Sequence, residues 1–115
     1  MSLMTQRLGN TDMAITRIGF GAWAIGGGGW SYGWGPQDDA ASIAAIRHAV
    51  GLGINWIDTA AIYGLGHSEE VVGEALRAIP ADARPYVFTK CGLIADPARP
   101  FEDPLRTLAP ESIRR

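Results

Sequence analysis

The chain predicts an α/β fold of the parallel type: the N-terminal portion of a (β/α)8 TIM barrel, preceded by a β-hairpin. Three observations point there. Short apolar runs rich in β-branched and aromatic residues recur roughly every 30 residues, as strands do in a barrel of about 250 residues. Stretches with helical periodicity separate them. The residues best suited to chemistry stand where the strands end.

The hairpin is read over residues 6–17, where two extended runs flank the polar turn Asn10-Thr11-Asp12. A first strand follows over residues 17–23, and a loop of glycine, tryptophan and tyrosine over residues 26–35. Pro36 suits the first turn of a helix, with Asp38 and Asp39 at its positive end. Ile43, Ile46 and Val50 share one helical face, and Gly51 and Gly53 stop the helix. The second strand covers residues 54–57 and leads into a loop over residues 58–67. Ser68 reads as the N-cap of the next helix, with Glu69 and Glu70 favoured by its dipole. Val72, Leu76 and Ile79 share a face of that helix, and Pro80 ends it. Residues 86–90 form the third strand, a proline-punctuated loop runs to Leu108, and a helix begins at Pro110. Three strands, two helices and the start of a third make residues 1–115 an incomplete barrel domain, with an open sheet edge and a core short of cover.

Composition narrows the function classes. Apolar residues make up 47% and charged residues 19%, as expected of a globular chain and not of a disordered one. A net charge of -2 implies no general attraction to nucleic acid or to an anionic membrane. No segment reaches the roughly 18 apolar residues of a membrane span. The single cysteine, Cys91, rules out an internal disulfide and fits a cytoplasmic setting; it reads as a buried, inert thiol.

One glycine motif is a decoy. Gly19-Phe20-Gly21-Ala22-Trp23-Ala24 fits the loose dinucleotide fingerprint, but that motif needs a helix opening at its glycines and an acid about 20 residues further on. Here a long loop intervenes, and the four glycines at 26–29 read as flexible. No metal-ligand pattern is present.

Asp58, Tyr63 and Lys90 form a stronger set. Asp58 ends one strand and Lys90 the next, so a parallel sheet brings both to its C-terminal rim, with Tyr63 in the loop above. A lysine ammonium near a phenol favours the phenolate, and a carboxylate beside the lysine keeps that ammonium charged and in place. The trio makes sense as a proton donor with its supports. Spacing alone leaves another reading open, in which Asp58 caps a loop, Lys90 pairs with it, and Tyr63 is a core aromatic.

Ile57-Asp-Thr-Ala-Ala-Ile-Tyr-Gly64, Gly66-His-Ser-Glu-Glu-Val-Val-Gly-Glu-Ala-Leu76 and Phe88-Thr-Lys90 together resemble the aldo-keto reductases, as does the opening stretch over residues 7–27. The resemblance covers nearly all of the chain in order. It implies an NADP(H)-dependent oxidoreductase, with NAD as the other cofactor left open, that interconverts aldehydes or ketones and alcohols by direct hydride transfer. It implies Tyr63 as general acid and base, Lys90 as the group that favours its phenolate, and Asp58 as the support of Lys90. Gly21, Ala22 and Trp23 match the stretch beside the nicotinamide and its ribose, which Asp58 also approaches. Trp23, with Trp30 and Trp34 of the glycine loop, would line a pocket for a small-molecule carbonyl substrate, and loop packing is an equal alternative for the loop aromatics. The family's fourth catalytic residue, a histidine at the end of the fourth strand, has no counterpart here. His48 falls opposite Ile46 on its helix as a surface residue, and His67 reads as a helix-entry residue beside Ser68. The loops that hold the cofactor's phosphates and adenine belong to later strands. A non-catalytic, cofactor-binding accessory subunit on the same scaffold is the alternative function, and an inactive barrel fragment a third.

Overall fold

The structure, a computed structural model, describes residues 2–114. It opens with the antiparallel hairpin of β1 (Thr5–Arg7) and β2 (Ala14–Thr16), where the sequence places one. Next comes a parallel three-stranded sheet in the order β3 (Phe20–Gly21), β4 (Trp56–Asp58), β5 (Tyr86–Phe88). Helix α1 (Asp39–Gly51) connects β3 to β4, and α2 (His67–Arg77) connects β4 to β5. A short antiparallel pair, β6 (Leu93–Ile94) and β7 (Leu105–Arg106), precedes α3 (Pro110–Ile113). Residues 91–108 read as loop in the sequence; each strand of this pair has two residues, too few for an alternation pattern to register.

Both helices pack on one face of the parallel sheet. Ile46 from α1, Ile57 from β4 and Ala75 from α2 are fully buried, joined by Ala22, Ile25, Val71 and Val72. Phe20, Ile43 and Leu76 flank this core. Asp38 caps α1, its side chain accepting from the amides of Ala40 at 2.9 Å and Ala41 at 3.4 Å. Pro36 therefore lies two residues before the cap and not in the first turn, because the Asp38 carboxylate satisfies amides that a proline start would leave open. Gly53 turns the chain at φ +99° after α1 ends.

The hairpin is tied to the N-terminal end of the sheet through Asn55. Its side chain accepts from the Thr16 amide and donates to the Ala14 carbonyl, each at 2.8 Å. The Trp56 indole donates to the Thr16 carbonyl at 2.8 Å and lies where any side chain at position 19 would stand, so Gly19 is needed there.

Register fixes the opposite end. Gly21 pairs with Asp58, and Asp58 with Phe88, so the last residues of three parallel strands form one row. The backbone pairing continues past it, from the Ala22 amide to the Asp58 carbonyl (2.9 Å), from Thr59 to Phe88 (2.8 Å) and from Ala61 to Lys90 (3.2 Å). No described helix is long and apolar enough to cross a membrane.

Candidate active site

Lys90 follows β5 by two residues and reaches back across the row of strand ends to Asp58. Its ammonium donates to both carboxylate oxygens at 2.8 Å and to the Thr59 carbonyl at 2.9 Å. These contacts fix the ammonium between the Asp58 carboxylate and the backbone of the next residue. Partial burial works against the charge of Lys90, but the bond to Asp58, assisted by the Tyr63 side chain, prevails and raises its pKa above the ordinary lysine value. The group is held as a cation.

Tyr63 is buried, with its ring against the same ammonium: Lys90 Nζ lies 5.0 Å from the ring centroid. The Trp23 indole stacks on the ring at 5.4 Å between centroids and 14° between planes, and Trp30 approaches at 6.4 Å. The backbone that positions the ring departs from ordinary helix. Gly64, Leu65 and Gly66 all take positive φ, at +61°, +55° and +102°, a run costly for any residue with a side chain. Leu65 bears that cost between two glycines that do not. A Cβ at Gly64 would run into the Gly26 carbonyl, and one at Gly26 would come within 2.7 Å of the Gly64 nitrogen. Gly26 is thus buried and required for close approach, not simply part of a flexible loop. The decoy reading stands: only a three-residue 3-10 turn, Ala24–Gly26, follows β3, and α1 begins at Asp39.

Beneath the rim a buried hydroxyl pair joins three elements. Ser68 Oγ donates to the Ala22 carbonyl at 2.7 Å and lies 2.9 Å from Thr59 Oγ1. Its one proton serves Ala22, so Thr59 donates to Ser68. This overturns the reading of Ser68 as an N-cap. Helix α2 starts one residue earlier, at His67 after Gly66, and no side chain caps it. Sequence reasoning missed this function because Ala22 is 46 positions away.

A cavity of about 430 Å³ opens beside Tyr63. Trp23, Trp30, Tyr32, Ile62 and Leu93 supply its apolar walls, and Lys90, Cys91 and Arg106 also face it. Trp34 does not line it. That residue is 72% exposed and stacks on Trp23, with 6.1 Å between ring centroids. Cys91 is exposed, contrary to its expected burial, because the chain turns away from the sheet after Lys90, the last residue paired with the neighbouring segment. Ala22 is wholly buried in the core with its amide and carbonyl both engaged, whereas Gly21 and Trp23 are exposed at the rim.

His67 opens α2, as expected of a helix-entry residue, and its ring bridges Asp39 at the start of α1 (2.9 Å) and Glu70 (3.4 Å). The bond to Asp39 raises its pKa above 6.5 against the opposing effect of partial burial, with Glu70 adding to the rise. His48 is exposed on α1. Among the described residues no three or more His, Cys, Asp or Glu side chains cluster in a way that could hold a metal ion.

Known proteins share this arrangement of elements. The holo form of aldo-keto reductase AKR11C1 from Bacillus halodurans superposes with a TM-score of 0.79 at 23% identity, over 97% of this chain and 33% of that one. An aldo-keto reductase from Klebsiella pneumoniae in complex with NADPH gives 0.59 at 31% identity, over 77% and 28%. In sequence, the NADH-specific methylglyoxal reductase of Escherichia coli (strain K12) is 40% identical over 114 residues, covering 93% of this chain and 34% of the relative. Aldo-keto reductase YhdN of Bacillus subtilis (strain 168) is 42% identical over 86 residues, covering 75% and 25%. The chain thus spans about a third or less of the length of these relatives. The model of the Aldo/keto reductase family matches residues 17–114, from just before β3 to just past the end of α3, and the chain belongs to that family.

Proposed function

We propose that this chain is the N-terminal portion of a (β/α)8 barrel and carries the proton-transfer part of the active site of a carbonyl reductase. The complete protein interconverts aldehydes or ketones and alcohols with NADP(H), or with NAD(H). The observation that carries this reading is the convergence of Asp58, Lys90 and the Tyr63 ring at one rim of the parallel sheet, beside an apolar cavity.

Tyr63 is the general acid in reduction. Its hydroxyl gives a proton to the carbonyl oxygen as charge builds there, and takes one back in oxidation. Lys90 keeps its own proton: held charged by Asp58, it stabilises the phenolate left on Tyr63. Trp23 and Trp30 fix the plane of the ring, limiting the orientations from which the proton can be delivered.

The strand ends fit one end of a nicotinamide cofactor. A Cβ built on Gly21 meets no atom within 4 Å, so the backbone there borders open space, and the partly exposed Trp23 stands beside it. Gly21, Trp23 and the half-exposed Asp58 carboxylate would hold that end, with Ala22 anchoring the strand below. When bound, the cofactor supplies or accepts hydride at the carbonyl carbon. Relatives crystallised with NADPH or NADP, and one named as NADH-specific, support either form.

Carbonyl-dependent oxidation of NADPH and NADH by the full-length protein, with an aromatic aldehyde as substrate, tests the proposal. Turnover with either cofactor is expected. Cofactor binding without turnover would overturn it in favour of the accessory-subunit reading.

A further inference from the structure

The cavity beside Tyr63 contains a second cation whose charge proton transfer leaves unused. Arg106 lies on β7 directly opposite Leu93 on β6, and residues so paired share a face of the ladder. Both line the cavity, while Leu105, the neighbouring position, is 64% exposed. Among the described residues no carboxylate lies within ion-pair distance of Arg106, and its side chain makes no hydrogen bond to another side chain or to the backbone. Lys90, the other cation facing the cavity, is already paired with Asp58 and bonded to the Thr59 carbonyl.

The wall that carries Arg106 is braced. Ser31 of the glycine loop bonds to Pro100 through its amide at 3.0 Å and its hydroxyl at 3.1 Å, and to the Glu102 carbonyl at 3.0 Å. The Tyr32 hydroxyl donates to Asp103 at 2.9 Å, and the Trp23 indole donates to the Tyr32 carbonyl at 2.8 Å. These bonds link the segment before β7 to the same indole that stacks on Tyr63. Asp103, the nearest acid in sequence, is engaged by Tyr32 and not by Arg106.

We propose that Arg106 is the anion-recognising residue of this cavity, and that the substrates it favours are carbonyl compounds with an aromatic or apolar body and a carboxylate at the end remote from the carbonyl. The carbonyl faces Tyr63, the body lies among Trp23, Trp30 and Leu93, and the carboxylate meets the fork of guanidinium donors, which suits it geometrically. The inference rests on the carbonyl-reductase reading.

Paired substrates test it in the full-length protein: benzaldehyde and 4-carboxybenzaldehyde, each with NADPH. The wild type is expected to prefer the carboxylated aldehyde. Because Arg106 is exposed, Arg106→Met should lower kcat/KM for that substrate by about fivefold, mainly through KM, and change benzaldehyde by less than about twofold. Arg106→Lys should recover part of the preference, and added salt should weaken it in the wild type. An equal fall for both aldehydes, or no preference in the wild type, overturns the inference. If the wild type turns over neither aldehyde, the reductase reading fails, and binding still decides the role of Arg106. Quenching of tryptophan fluorescence by benzoate, but not by benzyl alcohol, should weaken in Arg106→Met; equal quenching by both ligands in both proteins overturns it.

Discussion

Replacing Ser68 with alanine removes one buried hydroxyl and leaves two polar groups without partners. Ser68 is 0% exposed; it donates to the Ala22 carbonyl at 2.7 Å and accepts from Thr59 at 2.9 Å. Each buried group left unpaired costs about 1 to 3 kcal/mol, so Ser68→Ala should destabilise the protein by about 2 to 6 kcal/mol. Thr59→Val leaves the bond from Ser68 to Ala22 intact and should cost only about 0.5 to 1.5 kcal/mol. The double variant strands the Ala22 carbonyl alone, so its loss should fall short of the sum of the singles by about 1 to 2 kcal/mol. Equilibrium urea unfolding of the full-length protein, followed by tryptophan fluorescence, measures all three. A Ser68→Ala variant within about 0.5 kcal/mol of wild type, or strictly additive losses, would refute the buried hydroxyl link.

Gly64→Ala should displace the Tyr63 turn, because its Cβ meets the Gly26 backbone; kcat should fall at least about tenfold for a ring moved by an ångström. Unchanged kcat would show that the turn does not set the position of Tyr63. Lys90→Met should lower kcat by about a hundredfold or more while leaving cofactor affinity nearly unchanged, since proton transfer loses its supporting cation; stopped-flow binding and steady-state rates separate the two effects. The His67 pKa is raised on folding, so its contribution to stability is present below pH 6.5 and is lost as pH rises through the higher folded value. The side chain is 40% exposed, so the effect should be below about 1 kcal/mol. His67→Gln should flatten that part of the stability profile in urea titrations above pH 6.5, and a slope equal to that of wild type would exclude the Asp39 contact as its source.

What the sequence made legible was periodic or terminal. The helical faces that hold Ile43 and Ile46, and Val72 and Leu76, follow from spacing, whereas Val50, read on the first of them, lies outside that core; β-branched runs ending in Asp58 and Lys90 bring both to one rim once the strands are parallel. What it hid depends on partners distant in the chain or on elements too short to leave a pattern. Ser68 has the chemistry of a cap, and only the approach of Ala22 and Thr59 diverts its hydroxyl. Arg106 lies in a two-residue strand among prolines, so nothing local announces that it faces Tyr63's cavity. Trp30 and Trp34 look alike in the loop, yet one is buried against Tyr63 and the other stands outside on Trp23. Gly26 and Gly64 read as loop residues, although each is the only kind of residue that lets the other's backbone come so close.

Everything proposed for this site turns on proton transfer by Tyr63. Tyr63→Phe in the full-length protein removes the hydroxyl and keeps the ring between Trp23 and Lys90. Rates of NADPH oxidation with an aromatic aldehyde, measured beside cofactor affinity on the same preparation, test it most directly. Turnover should be abolished while NADPH still binds as in wild type; turnover at the wild-type rate would rule out Tyr63 as the proton donor.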